Sequence, residues 1–303
     1  MRWFETPNID FVGKRKMAYV LSGILFLASL GIVVTKGLQY GIDFKGGTEF
    51  VYSFEEPVNT TEIRSSLADV LGSAPEVKLF GSDSEILVRT DSELESGELQ
   101  TAIESTFQED MPENAYTFGK KDSVGPKIAD DLKSAGAQSV IYAMAIIFIY
   151  ILIRFRNWTF SAGAVAALIH DVTITLGIFT LLSDVVNFSL LIDQNIIAAF
   201  LTIVGYSLND TVVVFDRIRE NSLVHKGMDF FPMVNKSLND TLSRTVITSL
   251  TTLFVVLVLF IFGGEVLKGL SFALIIGVVL GTYSSLFVAS PLVLELDKRA
   301  KKS

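Results

Sequence analysis

The chain has 303 residues, of which 50% are hydrophobic and 19% charged, with a formal net charge of −8. A mean hydropathy of +0.48 and several apolar runs of about 18 residues or more exclude an ordinary soluble protein and indicate a polytopic membrane protein. It has no cysteine and two histidines, which excludes disulfides, thiolate nucleophiles, zinc–thiolate sites and a histidine metal cluster within one chain. We expect no metal site on these grounds, and we predict neither catalytic residues nor a cofactor.

The first predicted element is an apolar run over residues 17–34, preceded by Lys14, Arg15 and Lys16. A cleaved signal peptide is the alternative interpretation. The run is long for that, and no small-x-small cleavage site follows it. We therefore predict a cytoplasmic N-terminus over residues 1–16 and an uncleaved transmembrane helix over residues 17–37.

A polar segment follows at residues 38–133, with 20 acidic and 8 basic residues, whereas the remainder of the chain has 13 acidic and 17 basic residues. This asymmetry predicts an acidic domain outside the membrane joined to a mildly basic membrane part. Such a charge balance argues against nucleic acid as a partner. The acidic surface serves either solubility alone or contact with an unfolded polypeptide.

The pattern within residues 38–133 alternates strand and helix signals. A strand signal interrupted at Gly46-Gly47 comes first, and a helix that ends at Gly72 follows. Two short strands around Gly81 indicate a hairpin, and "SGELQTAIESTFQED" and "AYTFGKKDSVG" predict a second helix and a last strand. The order βαββαβ predicts an α+β, ferredoxin-like domain. A glycine pair alone is more typical of a bulge or tight turn than of a ligand cradle.

Five further apolar runs make a five-helix transmembrane bundle over residues 134–295, for six spans in all. We place them near residues 135–153, 160–182, 191–215, 245–262 and 270–294. Lys and Arg concentrate in the loops on the side of the N-terminus, which indicates the cytoplasm. Both termini, including a basic tail over residues 296–303, are therefore predicted to be cytoplasmic, and the acidic domain extracytoplasmic. The cytoplasmic interfacial loop at residues 216–243 mixes basic residues with Phe230, Phe231 and Met233, which favours a helix lying in the membrane interface.

One carboxylate stands out within the fourth span. Asp210 lies in "GYSLNDTVVVFDRIREN", where an ionised group costs on the order of 2.5–3.5 kcal/mol. Gly205 and Ser207 would let another helix approach closely, and Ser207 and Asn209 offer hydrogen bonds. Asp210 is either a helix-packing residue tied to a donor or a proton or ion relay.

Other polar residues fall at membrane depth. His170 and Asp171 are adjacent near the middle of the third span, and Arg244 opens the fifth span. The fourth and fifth spans are antiparallel, so Arg244 either meets Asp210 or extends to lipid headgroups. Arg217, close to Asp216 at the end of the fourth span, is interpreted as an interfacial anchor. Gly277 and Gly281 form a G-x-x-x-G pair typical of helix packing.

Six sequence motifs of this chain together resemble those of a known family. The motifs "YGIDFKGGTEF", "VGPKI", "HDV", "GYSLNDTVVVFDRIREN", "SRTVITSLTTL" and "FGGEVLKGLSFALIIGVVLGTYSS" are similar to those of the SecF family, the smaller subunits of SecDF protein-export complexes in the RND superfamily. The resemblance covers nearly the whole chain. It implies that the transmembrane charges linked to proton use are Asp210 and Arg244. It also carries the family's H-D motif onto His170 and Asp171, which are therefore included among the proton-relay residues.

The resemblance implies partners as well as a mechanism. It implies SecD as the second subunit, the SecYEG translocon with YajC or YidC, and an unfolded preprotein as substrate in the bacterial inner membrane. The implied activity is use of the proton-motive force to promote late steps of polypeptide export, with Asp210 as proton carrier and Arg244 as its counter-charge. No covalent chemistry is implied.

Two other functions compete with this one. An RND-type exporter of lipids or small molecules, of which this chain would be one half, requires larger external domains and a second repeat. This chain has one small domain. A passive scaffold within the translocon would carry no proton flux. An intramembrane aspartyl protease is disfavoured, because Asp171 and Asp210 lack the G-x-G-D pattern.

Overall fold

A computed structural model of the chain describes residues 7–92, 94–186 and 188–300. The parts of the predicted termini at residues 1–6 and 301–303 lie outside the described residues. The elements in chain order are α1 (Arg15–Lys36), α2 (Ile42–Lys45), β1 (Gly47–Phe54), α3 (Thr60–Leu71), β2 (Glu76–Phe80), β3 (Ser82–Thr90), α4 (Ser96–Asp110), β4 (Tyr116–Val124), α5 (Pro126–Phe155), α6 (Trp158–Leu182), α7 (Gln194–Val224), α8 (Phe230–Phe262), α9 (Glu265–Ser284), a π-helical segment (Ser285–Ala289) and α10 (Ser290–Ala300).

Six helices in the described part of the chain are long and apolar enough to cross a membrane. They are α1, α5, α6, α7, α8 and the continuous rod formed by α9, the π-helical segment and α10. This confirms the prediction of a polytopic helical membrane protein with six spans. Several helices are longer than the apolar runs indicate, since α5 begins at Pro126 and α8 at Phe230, in polar sequence.

The cytoplasmic segment expected to hold an interfacial helix, residues 216–243, is mostly helical, but its helices are extensions of two spans. Helix α7 continues to Val224 and α8 begins at Phe230, so only residues 225–229 connect them. The two extensions satisfy each other's polar groups, because the Asn221 amide donates to Ser237 Oγ at 2.9 Å and to Asp240 Oδ2 at 3.2 Å. Hydropathy alone misses such an extension, since these hydrogen bonds form between polar residues.

The segment between α1 and α5 contains a four-stranded sheet with the order β2-β3-β1-β4, in which all neighbours are antiparallel. The observed order of strands and helices is the predicted βαββαβ order. Helix α3 begins where the Asn59 side chain accepts a hydrogen bond from the Thr61 N–H at 3.0 Å. It ends at Gly72, which has a φ of 71°. Strand residues such as Phe50 and Tyr52 pack with Phe107 of α4 in the core beneath these helices.

The predicted first strand is interrupted earlier than expected. Residues 42–45 form the short helix α2, and β1 begins at Gly47. Gly47 has a φ of 111°, and a Cβ there would be 2.6 Å from the Thr90 carbonyl oxygen. A side chain is therefore excluded by both conformation and space. The glycine pair serves this close approach of β1 to the end of β3.

Backbone hydrogen bonds join the segment before β1 to the connection that leads into α7. The Ile192 N–H donates to the Gln39 carbonyl at 2.8 Å, and the Gly41 N–H donates to the Ile192 carbonyl at 2.9 Å. The Asp43 carboxylate accepts from the Gln194 N–H at 3.0 Å. The sheet domain is thus attached directly to the start of the helix that carries Asp210.

Candidate functional site

Helices α6, α7 and α9 approach closely at the centre of the bundle. Gly277 and Gly281 of α9 face α7, as a G-x-x-x-G pair predicts. A Cβ on Gly277 would overlap the Ile203 side chain, and one on Gly281 would be 2.9 Å from the Ser207 Cβ. This packing places Ser207, which is fully buried, between the other two helices.

Asp210 lies on α7 three residues after Ser207 and is 4% exposed. Its Oδ2 atom has no hydrogen-bond partner among the described residues. Two groups on α8 act on its carboxyl: Arg244 through its charge, and Ser249 as a hydrogen-bond donor. A buried carboxylate oxygen without a donor is costly, so this position is not explained as a satisfied packing residue.

Arg244 does not form an ion pair with Asp210. Within the described residues, no carboxylate oxygen lies within 4.0 Å of the Arg244 guanidinium, and the residue is exposed. The structure therefore brings the two charges into the same region of the α7–α8 pair without direct contact.

Asp171 of α6 has the opposite environment. It is fully buried, and its Oδ2 accepts hydrogen bonds from Ser207 Oγ at 2.8 Å and Ser284 Oγ at 2.6 Å. Its Oδ1 lies 2.9 Å from Nδ1 of His170. Three helices thus meet at a single carboxylate.

His170 extends this cluster towards α1. Its ring stacks on that of Tyr283 of α9 at a centroid distance of 6.3 Å. The Tyr283 hydroxyl lies 3.0 Å from Ser22 Oγ and 3.3 Å from the Ala18 carbonyl of α1. The buried Nε2 atom of His170 has no hydrogen-bond partner in the described part of the chain.

The remaining predicted residues lie apart from this centre. Gly205 and Asn209 are exposed on α7, and a Cβ on Gly205 would meet nothing within 4 Å. The expected close helix contact there is therefore not made by the described part of the chain. Asp216 pairs with Arg154 at 2.6 Å. Arg217 pairs with Glu220 at 2.9 Å, so both belong to the polar end of α7.

Sequence reasoning missed Ser284, Ser249 and Tyr283. Serine and tyrosine are common in membrane helices, and a single one carries no signal of function. The available signal was spacing, because Ser284 lies three residues after Gly281 and therefore shares its helix face. The π-helical segment that begins at Ser285 has no sequence signature that we recognised.

Comparison with known proteins identifies relatives of this chain. The family model "Protein export membrane protein SecD/SecF, C-terminal" matches residues 103–299, and the model "SecD/SecF GG Motif" matches residues 31–58. The "Protein translocase subunit SecF" of Rhodothermus marinus is 57% identical over 99% of this chain and 97% of its own. That of Calditerrivibrio nitroreducens is 40% identical over 97% and 96%, respectively.

Solved structures give the same result. The chain resembles SecDF from Thermus thermophilus, described as a translocon-associated membrane protein, with a TM-score of 0.86 and 36% identity. The match covers 98% of this chain and 40% of the SecDF chain. A second structure, SecDF in a super-membrane-facing form, matches with a TM-score of 0.71 and 34% identity, again over 40% of its length.

Proposed function

The chain belongs to the SecD/SecF family of protein export membrane proteins, and we propose that it promotes late steps of polypeptide export by using the proton-motive force. In this proposal it is an accessory, multi-pass subunit of the Sec translocase in the bacterial inner membrane. It performs mechanical work on a preprotein and no covalent chemistry.

The observation that carries the proposal is the state of Asp210. Its carboxyl is buried at membrane depth, and one oxygen has no donor in the described structure. Such an oxygen is available to take up a proton, and the neutral form removes the cost of a buried charge. Arg244, which acts on Asp210 and has no carboxylate partner among the described residues, is the counter-charge for the ionised form.

The energy available suits a conformational step. One proton that crosses 100 mV supplies about 2.3 kcal/mol. Asp210 would alternate between an ionised form attracted to Arg244 and a neutral form that releases it. The backbone hydrogen bonds of Gln39, Gly41 and Ile192 would pass the resulting movement of α7 to the sheet domain.

The proposal places the sheet domain, residues 38–133, outside the cytoplasmic membrane as a ferredoxin-like unit. The βαββαβ order and the β2-β3-β1-β4 strand order support that fold. The Lys and Arg bias of the short loops supports the orientation, with both termini and residues 216–243 cytoplasmic.

A partner subunit completes the site in this proposal. Helix α7 exposes one stripe of small and polar residues: Ala198, Thr202, Gly205 and Asn209. This composition suits another helix better than lipid. Since the chain spans 40% of the related SecDF polypeptides, a separate SecD subunit would cover the stripe. SecYEG, with YajC or YidC, would then deliver the preprotein.

The test is Asp210→Asn, which keeps the volume and hydrogen-bonding capacity but cannot ionise. Export of a reporter protein is measured in vesicles with and without a proton gradient, at equal amounts of assembled complex. We expect gradient-dependent export to be lost. Glu220→Gln, which removes an exposed charge from the same helix, is the control and should export normally. Normal gradient-dependent export by Asp210→Asn would leave the scaffold function standing.

A further inference from the structure

The two buried carboxyls of the bundle differ in how their oxygens are satisfied. Both Asp171 oxygens have close polar partners, and Oδ2 accepts two hydroxyl hydrogen bonds. Asp210 leaves its Oδ2 without any donor among the described residues. Hydrogen bonds donated to a carboxylate favour its charged form, whereas an unsatisfied buried oxygen favours protonation. Equal roles for the two groups are therefore not expected.

We infer that Asp171 stays ionised and acts as a fixed anchor, held by the positioning residues Ser207 and Ser284. Of the two carboxyls, only Asp210 takes up the proton. This inference rests on the proposed function, because it divides the work between two carboxyls of that site. It also separates His170 and Asp171 from the relay role that the sequence suggested for them.

The positions of the two serines support the inference. Ser207 precedes Asp210 by less than one helical turn of α7. The hydrogen bond from Ser207 to Asp171 of α6 therefore fixes the depth and orientation of Asp210 relative to α6. Ser284 is the last residue of α9 before the π-helical segment. π-helical turns within α-helices often occur at functional sites, and this one begins immediately after the residue that holds Asp171.

The surroundings of Asp171 include few other ionisable groups. His170 is on the same helix, Asp210 is on α7, and Tyr283 is on α9, while α1 contributes the uncharged Ser22 through Tyr283. Arg244 on α8 acts on Asp210. The donors that stabilise a charged Asp171 are therefore the two serine hydroxyls and His170.

The test reads protonation directly, by infrared difference spectroscopy of the full chain with its partner subunit in lipid, titrated over pH. A protonated carboxyl gives a C=O stretching band that an ionised one lacks. The exposed carboxyls give bands common to all variants, and we expect one further titrating band that is removed by Asp210→Asn and retained in Asp171→Asn. We expect Ser207→Ala and Ser284→Ala each to add a second titrating band, which is absent when Asp171→Asn is combined with either.

The matched control is Ser271→Ala on α9, because Ser271 is fully buried and its hydroxyl has no hydrogen-bond partner in the described structure. It should add no band. Loss of the wild-type band in Asp171→Asn, or unchanged spectra in both serine variants, would overturn the inference. If Asp171→Asn fails to fold, the serine variants decide alone. Because the readout is spectroscopic, a failure of proton-coupled export leaves this assignment separately testable.

Discussion

Gly281 of α9 lies against Ser207 of α7 so closely that a Cβ built on the glycine would be 2.9 Å from the Ser207 Cβ. The absence of a side chain at this position lets α9 approach α7. As a result, Ser284, one turn further along α9, reaches the same Asp171 oxygen as Ser207. Helix packing and the polar centre of the bundle therefore depend on each other.

Gly281→Ala should consequently destabilise the bundle, because the added methyl group must displace α7 or α9. Overpacking in a close-packed interior costs roughly 1–3 kcal/mol. The measurement is the thermal unfolding of the purified chain in detergent, compared with Gly23→Ala on α1. A Cβ on Gly23 would meet nothing within 4 Å, so this control should unfold like the wild type. Equal transition temperatures for both variants would contradict the packing described here.

The sheet domain should lose stability in acid through Glu76. Burial raises the pKa of Glu76, but Arg89 and Lys78 act more strongly together and leave it below the ordinary value of 4.5. Arg89 Nη1 lies 2.9 Å from Glu76 Oε2. A carboxyl with a depressed pKa in the folded state stabilises the fold above its unfolded pKa. That contribution is lost as the pH falls below about 4.5 and through the folded value.

Glu76→Gln should therefore unfold at a lower temperature than the wild type at neutral pH, and the difference should shrink as the pH falls below 4.5. Thermal unfolding at several pH values measures this. Glu85→Gln on β3 is the control, since Glu85 forms no ion pair within the described residues. If the difference in unfolding temperature between wild type and Glu76→Gln stays constant down to acid pH, the ionisation of Glu76 does not stabilise the sheet domain.

The sequence predicted those parts of the fold that follow from local periodicity. The six spans and the βαββαβ order come from apolar runs and from alternation, which are properties of neighbouring residues. Helix was predicted within residues 216–243, but its continuity with α7 and α8 was not, because that depends on hydrogen bonds of Asn221 across the α7–α8 pair.

The candidate site was predicted only in part, for a related reason. Asp210 and Asp171 stand out because a carboxylate is rare at membrane depth. Their different environments depend on which hydroxyls reach them from other helices, and Ser284 lies 113 positions from Asp171 in the sequence. A contact between residues so far apart in the sequence cannot be predicted from local sequence patterns. Arg244 and Asp210 do not form an ion pair because of how α7 and α8 are rotated about their axes. Hydropathy does not predict that rotation.

The exposed stripe on α7 predicts a change of environment when the partner subunit binds. The chain has no cysteine, so Thr202→Cys gives a single site for a spin label. Its collision rate with oxygen dissolved in the lipid should fall when SecD is added. A label at Val258→Cys, on α8 where the side chain is 57% exposed, is the control and should stay accessible. If the collision rate of the label at residue 202 with oxygen does not fall in the assembled complex, another face of the chain contacts the partner.

Arg244 allows the sharpest separation between a relay and a lipid anchor. Arg244→Met removes the charge that favours ionised Asp210, so the carboxyl should stay neutral and gradient-dependent export should be lost. Arg219→Met, which removes an exposed arginine from the end of α7, should export normally. These single variants alone do not exclude a general loss of membrane anchoring.

The double variant resolves that point. If Arg244 acts through Asp210, then Arg244→Met should have no further effect on export once Asp210→Asn is present, because the group it acts on is already gone. If Arg244 instead reaches lipid headgroups, its removal should lower assembly or residual export by the same factor in both backgrounds. The measurement is export at matched amounts of assembled complex for wild type, both single variants and the double variant. Equal fractional losses in the two backgrounds would assign Arg244 to the lipid and leave Asp210 to take up its proton without this counter-charge.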